Sequence, residues 1–262
     1  MWQLLKIEWL KVRYYKAFWV FTILYFVSLF GINYIGFYIN ELAHENVPLG
    51  STLLGTPYSF PRVWGTVGFM SSWLLYFPGI LFIMLMTNEY NFKTHRQNII
   101  DGWERAQFIN VKFTGAFIYA VLITVLNFIV ALVFGFMSAG SSFSWDGIEK
   151  VGYIFLQSLT YIAFAMFLSV VFRRSGLAIA IFFLYGLIFE WLFTTFINLK
   201  LDMTPVGYFL PLQTSDSLLP LPFGKEFIYK GLPDDWVMVL AVVIYTGLYY
   251  FFSLKKFTKD DL

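Results

Sequence analysis

The chain of 262 residues contains no cysteine, only two histidines, and few charges, with Lys, Arg, Asp and Glu together making up 13% of it. The missing cysteine excludes disulfide scaffolds, thiolate metal sites and cysteine nucleophiles. His44 and His95 fall on opposite sides of the membrane in the topology derived below, so they cannot share a metal, and no H-E-x-x-H run is present. There is also no G-x-x-x-x-G-K-[ST]: the only Gly-Lys pair, Gly224-Lys225, runs into Glu226. The chain therefore has no P-loop with which to bind ATP itself, and the reading is not an enzyme. A net charge of +2 is too small for a nucleic-acid partner.

What is abundant is apolar. Hydrophobic types make up 59% of the chain, aromatic types 22%, and the mean hydropathy is +0.68. A soluble domain is typically about a quarter charged. A chain with half that charge needs lipid around it, so the fold class is an all-α integral membrane protein.

A hydrocarbon core about 30 Å thick takes about 20 apolar residues in a helix. Six segments meet that length: 17–39, 64–86, 113–136, 151–172, 176–197 and 236–254. They do not alternate as barrel strands would. Residues 1–262 thus form one transmembrane domain with six transmembrane helices. The first apolar run is too long for a signal peptide and lacks a cleavage site. Basic residues set the orientation. With both termini cytoplasmic, thirteen Lys and Arg lie inside and five (Arg62, Lys150, Lys200, Lys225 and Lys230) outside. Trp19, Trp64, Trp191 and Trp236 sit near span ends, where amphipathic rings favour the headgroup layer.

Several local features stand out. Residues 1–16 interleave apolar and basic types, with Trp2, Leu5, Trp9 and Val12 on one helical face, and predict an interfacial amphipathic helix on membrane lipid. The segment 40–63 carries five prolines and glycines and is expected to be irregular. Pro78 lies inside span two and predicts a kink. Spans four and five are joined only by Arg173-Arg174-Ser175, a tight basic hairpin. The segment 198–235 is proline-rich yet apolar, which predicts short interfacial or re-entrant helices between helices five and six. Asn127, Gln157, Ser158 and Thr160 are placed to hydrogen-bond between helices, and Gly176-x-x-x-Ala180 offers a small-residue seam for a second copy. Glu190 is the one ionisable residue within a span, and is read either as a substrate or ion site or as a carboxylate reaching the outer interface.

The region 87–112 after span two is polar, of mixed charge and free of proline. Thr94 is expected to cap a short helix with Ile99 and Ile100 pointing one way, Gly102 to end it, and Glu104 and Arg105 to open span three. The pattern Glu89-Tyr90, then Thr94-x-Arg96-x-x-Ile99-Ile100, then Gly102-x-x-Arg105 and Lys112, resembles the coupling region of type-2 ABC exporter permeases. The amphipathic start, the six spans with both ends inside, the broken apolar segment before span six and the ending Lys255-Lys256-Phe257-Thr258-Lys259-Asp260-Asp261-Leu262 are similar to that family too. Gly102-Trp103-Glu104 departs from the small or proline-containing tripeptides common there.

The resemblance implies a permease subunit in the plasma membrane, paired with a second copy or a paralogue. Cytoplasmic ABC ATPase subunits would bind the ATP and Mg. Glu89, Thr94, Arg96, Ile99, Ile100, Asp101, Gly102 and Arg105 would meet those subunits. The residues alone leave two other readings open: an ion- or proton-coupled secondary carrier working through Glu190, and a non-transporting membrane scaffold or immunity component. One buried charge and one mid-span proline are fewer than a carrier's paired broken helices call for.

Overall fold

A computed structural model describes the chain except residues 1, 47–54, 139, 141, 202, 223–230 and 260–262. The described residues are helical, with connecting turns and no strand. The elements are α1 (Trp2–Arg13), α2 (Lys16–Asn46), α3 (Val63–Ser72), α4 (Tyr76–Asn91), α5 (Thr94–Ile100), α6 (Arg105–Met137), α7 (Glu149–Phe172) and α8 (Ser175–Phe183). A π-helical turn, Leu184–Phe189, joins α8 to α9 (Glu190–Thr195), and a second, Phe196–Lys200, ends it. A 3₁₀ turn (Val206–Phe209), α10 (Gln213–Asp216) and α11 (Asp235–Lys259) complete the chain.

Five helical stretches are long and apolar enough to cross a membrane, and α3 with α4, bent by 46°, makes a sixth if the pair is one span. The chain is a multi-pass membrane protein. Span two differs from the single kinked helix that the sequence predicts. It breaks at residues 73–75, and Pro78 falls in the first turn of the new helix. Proline has no N–H to leave unbonded there, so it fits a helix start better than a helix interior. The segment 40–63 is not irregular throughout, since α2 continues to Asn46. Pro48 and Gly50 lie outside the described residues. Short helices do occur between α9 and α11, as expected from the proline-broken apolar composition.

α7 is the central helix, with α3, α4, α6, α8 and α11 packed around it. Lipid removes the hydrophobic drive between helices, so close packing and interhelical hydrogen bonds must hold them. Trp64 stacks on Phe128, with centroids 5.6 Å apart. Gly79 lets the Phe182 ring lie directly against the α4 backbone, where a Cβ would overlap it. Of the polar residues expected to bridge helices, Asn127 donates to the Tyr25 hydroxyl at 2.9 Å and Thr160 meets Thr246 at 2.8 Å. Ser158 instead donates to Phe155 O on its own helix. The outward sides of α2 and α8–α9 expose Val20, Ile23, Val27, Leu187 and Phe193, as lipid-facing surfaces do.

Candidate functional site

One end of the bundle gathers α1, the end of α4, α5, the start of α6 and the last turns of α11. Phe257 of α11 stacks on Phe108 of α6, and Arg173 lies over the Tyr90 ring. After α4, Lys93 adopts φ +57° and turns the chain back, so that α5 starts at Thr94. The end of α5 is closed by paired hydrogen bonds from Gly102 N–H to Ile99 O (3.1 Å) and from Trp103 N–H to Asn98 O (3.0 Å). This Schellman pattern needs a residue with positive φ, which Gly102 supplies at +98° without a Cβ clash. Glu104 and Gln107 then form a reciprocal capping box that starts α6. Each turn of this elbow is thus encoded locally.

Beneath the elbow lies a network of two cations and two carboxylates. Lys112 of α6 donates to Glu89 of α4 at 2.7 Å and also to Glu8 of α1. Lys11 reaches Glu8 at 2.9 Å and Glu89 at 3.3 Å. The other Glu89 oxygen accepts the Thr94 hydroxyl, and the Glu89 carbonyl lies 2.7 Å from His95 Nδ1. One residue, Glu89, therefore fastens α5 to α4 and joins both to α1 and α6.

This geometry sorts the residues that the sequence singled out. Thr94 does not cap α5 through its side chain. Its hydroxyl is drawn to the buried Glu89 carboxylate, and Lys93 occupies the cap position. Ile99 and Ile100 do not point one way. Ile99 packs with Trp103 and Phe108 in the core of the elbow, while Ile100 is 76% exposed. Consecutive helical residues lie about 100° apart, so one buried face cannot hold both. Glu89 is 6% exposed and sits inside the network, not at the surface. Arg105 donates to Thr258 O at 2.9 Å and ties α6 to α11. Arg96, Ile100, Asp101 and Gly102 remain exposed, and Phe92 joins them at the tip.

Glu190 lies in a different region, where the segment after α9 folds back against α7. Its Oε1 accepts the backbone N–H groups of Leu212 (2.6 Å) and Gln213 (2.9 Å), so the carboxylate anchors the start of α10. Asp216, at the end of α10, is reached by Gln157 Nε2 at 2.8 Å and by the Tyr161 hydroxyl at 2.9 Å. It borders a cavity of about 550 Å³ between α3, α4, α7 and α9. Burial pushes the Asp216 carboxyl up to about 6, against the opposing effect of Gln157 and Tyr161. Among the described residues no group of three or more His, Asp or Glu side chains could hold a metal ion.

Residues 59–262 match the family described as "Protein of unknown function (DUF2705)". The chain belongs to that family. None of the curated proteins compared with it matches. The DUF2705 match contains the whole elbow, Glu190, Asp216 and the cavity walls, whereas Glu8 and Lys11 on α1 lie before it. Sequence reasoning missed Asp216 and Glu8. The signal for Asp216 was a polar run, Gln213-Thr214-Ser215-Asp216-Ser217, set between Leu212 and Leu218-Leu219 in an otherwise greasy segment. The signal for Glu8 was the one carboxylate in residues 1–16, three residues before Lys11, a spacing at which helical charges pair.

Proposed function

We infer that this DUF2705 chain is the membrane-embedded permease subunit of an ABC exporter. In this reading it sits in the plasma membrane with both termini and the elbow in the cytoplasm. It pairs with a second copy or a related permease, and separate ATPase subunits bind ATP and Mg and drive it. The chain itself contributes no catalysis.

The observation that carries the reading is the elbow. α5 has seven residues and is about 10 Å long, a short crosspiece that buries His95 and Asn98 on its inner side. It is fastened to α4 through Glu89 and to α6 through the Gly102 turn and the Glu104 cap, and it turns Phe92, Arg96 and Ile100 outward. An exposed pair of apolar side chains beside an arginine suits a groove on a soluble partner. A force on that tip passes into α4 and into α6, which runs unbroken for 33 residues, and so becomes rigid-body tilting of two helices. The carrier reading depends on Glu190 being free for an ion. Engagement of its Oε1 by two backbone N–H groups favours the permease.

The test is affinity capture of the tagged chain in mild detergent, with the captured complex assayed for ATP hydrolysis. A P-loop ATPase should accompany the wild-type chain and hydrolyse ATP. Arg96→Glu combined with Ile100→Glu should abolish the association while leaving the chain's size-exclusion profile unchanged. Capture of the wild-type chain without an ATPase, or uphill transport by the isolated chain without ATP, overturns the reading.

A further inference from the structure

We propose that the cavity between α3, α4, α7 and α9 binds an organic cation, with the Asp216 carboxylate as its counter-charge and the rings of Trp73, Tyr76 and Trp191 as its walls. A volume of about 550 Å³ falls in the range of small-molecule sites and far exceeds what a bare ion fills. The lining is aromatic, with Trp73, Tyr76, Tyr161, Trp191 and Tyr208 contributing. Ring faces carry negative potential and attract a cation within about 6 Å of the centroid.

The polar groups select the same charge. Asp216 is half-buried at the cavity, and among the described residues the ion pairs involve other carboxylates, leaving it without a cation. Its two donors, Gln157 and Tyr161, are neutral and orient the carboxylate without cancelling its charge. Gln157 is itself held, because Ser72 donates to its Oε1 at 3.0 Å and so directs the amide N–H toward Asp216. The chain Ser72–Gln157–Asp216 fixes the acceptor before any ligand arrives. A carboxylate in apolar surroundings is costly without a partner, and a ligand cation offsets that cost. The π-helical turn Leu184–Phe189 shapes one wall. It brings Gly186 under the Tyr76 hydroxyl so closely that a Cβ there would lie 2.6 Å from it.

Binding is a property of this chain alone and stands apart from any ATPase. Only the further statement that the bound cation is the exported cargo rests on the permease reading.

The experiment uses the purified chain in detergent, without an ATPase, and two probes of nearly the same shape and opposite charge: tetraphenylphosphonium and tetraphenylborate. The cation should bind saturably and the anion should not. Asp216→Asn should weaken cation binding at least tenfold, while Asp216→Glu retains most of it. Trp191→Leu should weaken it several-fold; Trp191 is 63% exposed, so this variant tests the site even if the Asp216 variants misfold. Asp146→Asn, an exposed carboxylate away from the cavity, should leave binding unchanged. Equal binding of the two probes, or undiminished cation binding by folded Asp216→Asn and by Trp191→Leu, overturns the proposal. Failure of ATPase capture alongside selective cation binding would remove the permease reading and keep this one.

Discussion

Lys112 on α6 and Glu89 on α4 meet at 2.7 Å, each with little exposed side chain, at the point where the elbow joins the bundle. The contact joins residues on either side of the reversal that α5 makes. Glu8 and Lys11 bring α1 into it, so a helix at the start of the chain is held to the two helices that frame the elbow. A network of two positive and two negative groups has no net charge, which makes its burial tolerable while its removal piece by piece is not.

Lys112→Ala should therefore destabilise the protein strongly. It leaves Glu8 and Glu89 facing each other with only Lys11 between them. Breaking a buried pair by removing one partner costs about 3–5 kcal/mol. The check is thermal unfolding in detergent, with Glu89→Gln placed on the Lys112→Ala background. Partial recovery in the double variant is expected, since the second change removes one of the stranded charges. A Lys112→Ala protein as stable as wild type would show that the network contributes little.

The sidedness of the elbow is open to direct measurement because the chain has no native cysteine to confuse it. Arg96→Cys and Ile100→Cys each place one thiol on the exposed face of α5. With the chain produced without an ATPase subunit, a membrane-impermeant maleimide should label both in inside-out vesicles and neither in intact cells. Labelling from the outside would reverse the topology and remove the elbow from reach of any cytoplasmic ATPase.

The elbow and the spans were legible in the sequence for the same reason: their signals are local. A run of about 20 apolar residues marks a span wherever it packs, and Gly102 with Glu104 marks a helix end and a helix start. The errors lie where a local signal had two outcomes. Pro78 announced a disturbance in span two but not which residue would resume the helix. Ile99 and Ile100 are alike in type and adjacent in the chain, which suggests one apolar face, yet helical geometry separates them. Thr94 had the right type for a cap, but a buried carboxylate five residues earlier outcompeted the free N–H groups for its hydroxyl. For Asp216 the polar run 213–217 marks the residue but not its partners. Its meaning depends on a proline-rich segment folding back onto α7, and nothing within that segment specifies Gln157 and Tyr161 as its neighbours.

Glu190 should prove structural. Its Oε1 holds the N–H groups of Leu212 and Gln213, and those bonds set the position of α10 and hence of Asp216. Glu190→Gln keeps a carbonyl oxygen at that site and should leave stability and cation binding near wild type. Glu190→Ala strands two backbone donors, with a loss of about 1–3 kcal/mol each where they remain unsatisfied. It should lower the unfolding temperature and weaken tetraphenylphosphonium binding together. A large effect of Glu190→Gln on binding would instead mark the charge itself as functional.

The acidity of Asp216 gives the cavity a pH signature. Among the described residues the titratable groups facing it are Tyr161 from α7, Tyr76 from α4 and Glu190 from α9, while Tyr245 of α11 donates its hydroxyl to Phe209 O. Burial raises the Asp216 carboxyl to about 6, above its ordinary value, so the empty fold holds this proton more tightly than the unfolded chain does. Stability from that preference is present at low pH and is lost as pH rises through about 6. A cation needs the ionised form, so its affinity should move the other way, rising through the same range and levelling above it. Below the transition the affinity should fall by up to about tenfold per pH unit. Thermal unfolding between pH 5 and 8, with and without tetraphenylphosphonium, separates the two effects. The ligand-free protein should lose a little stability across the window while the ligand's stabilising shift grows. Asp216→Asn should flatten the growth of the ligand's shift, and a shift that stays constant with pH in the wild-type protein would mean that the cation does not pair with this carboxylate.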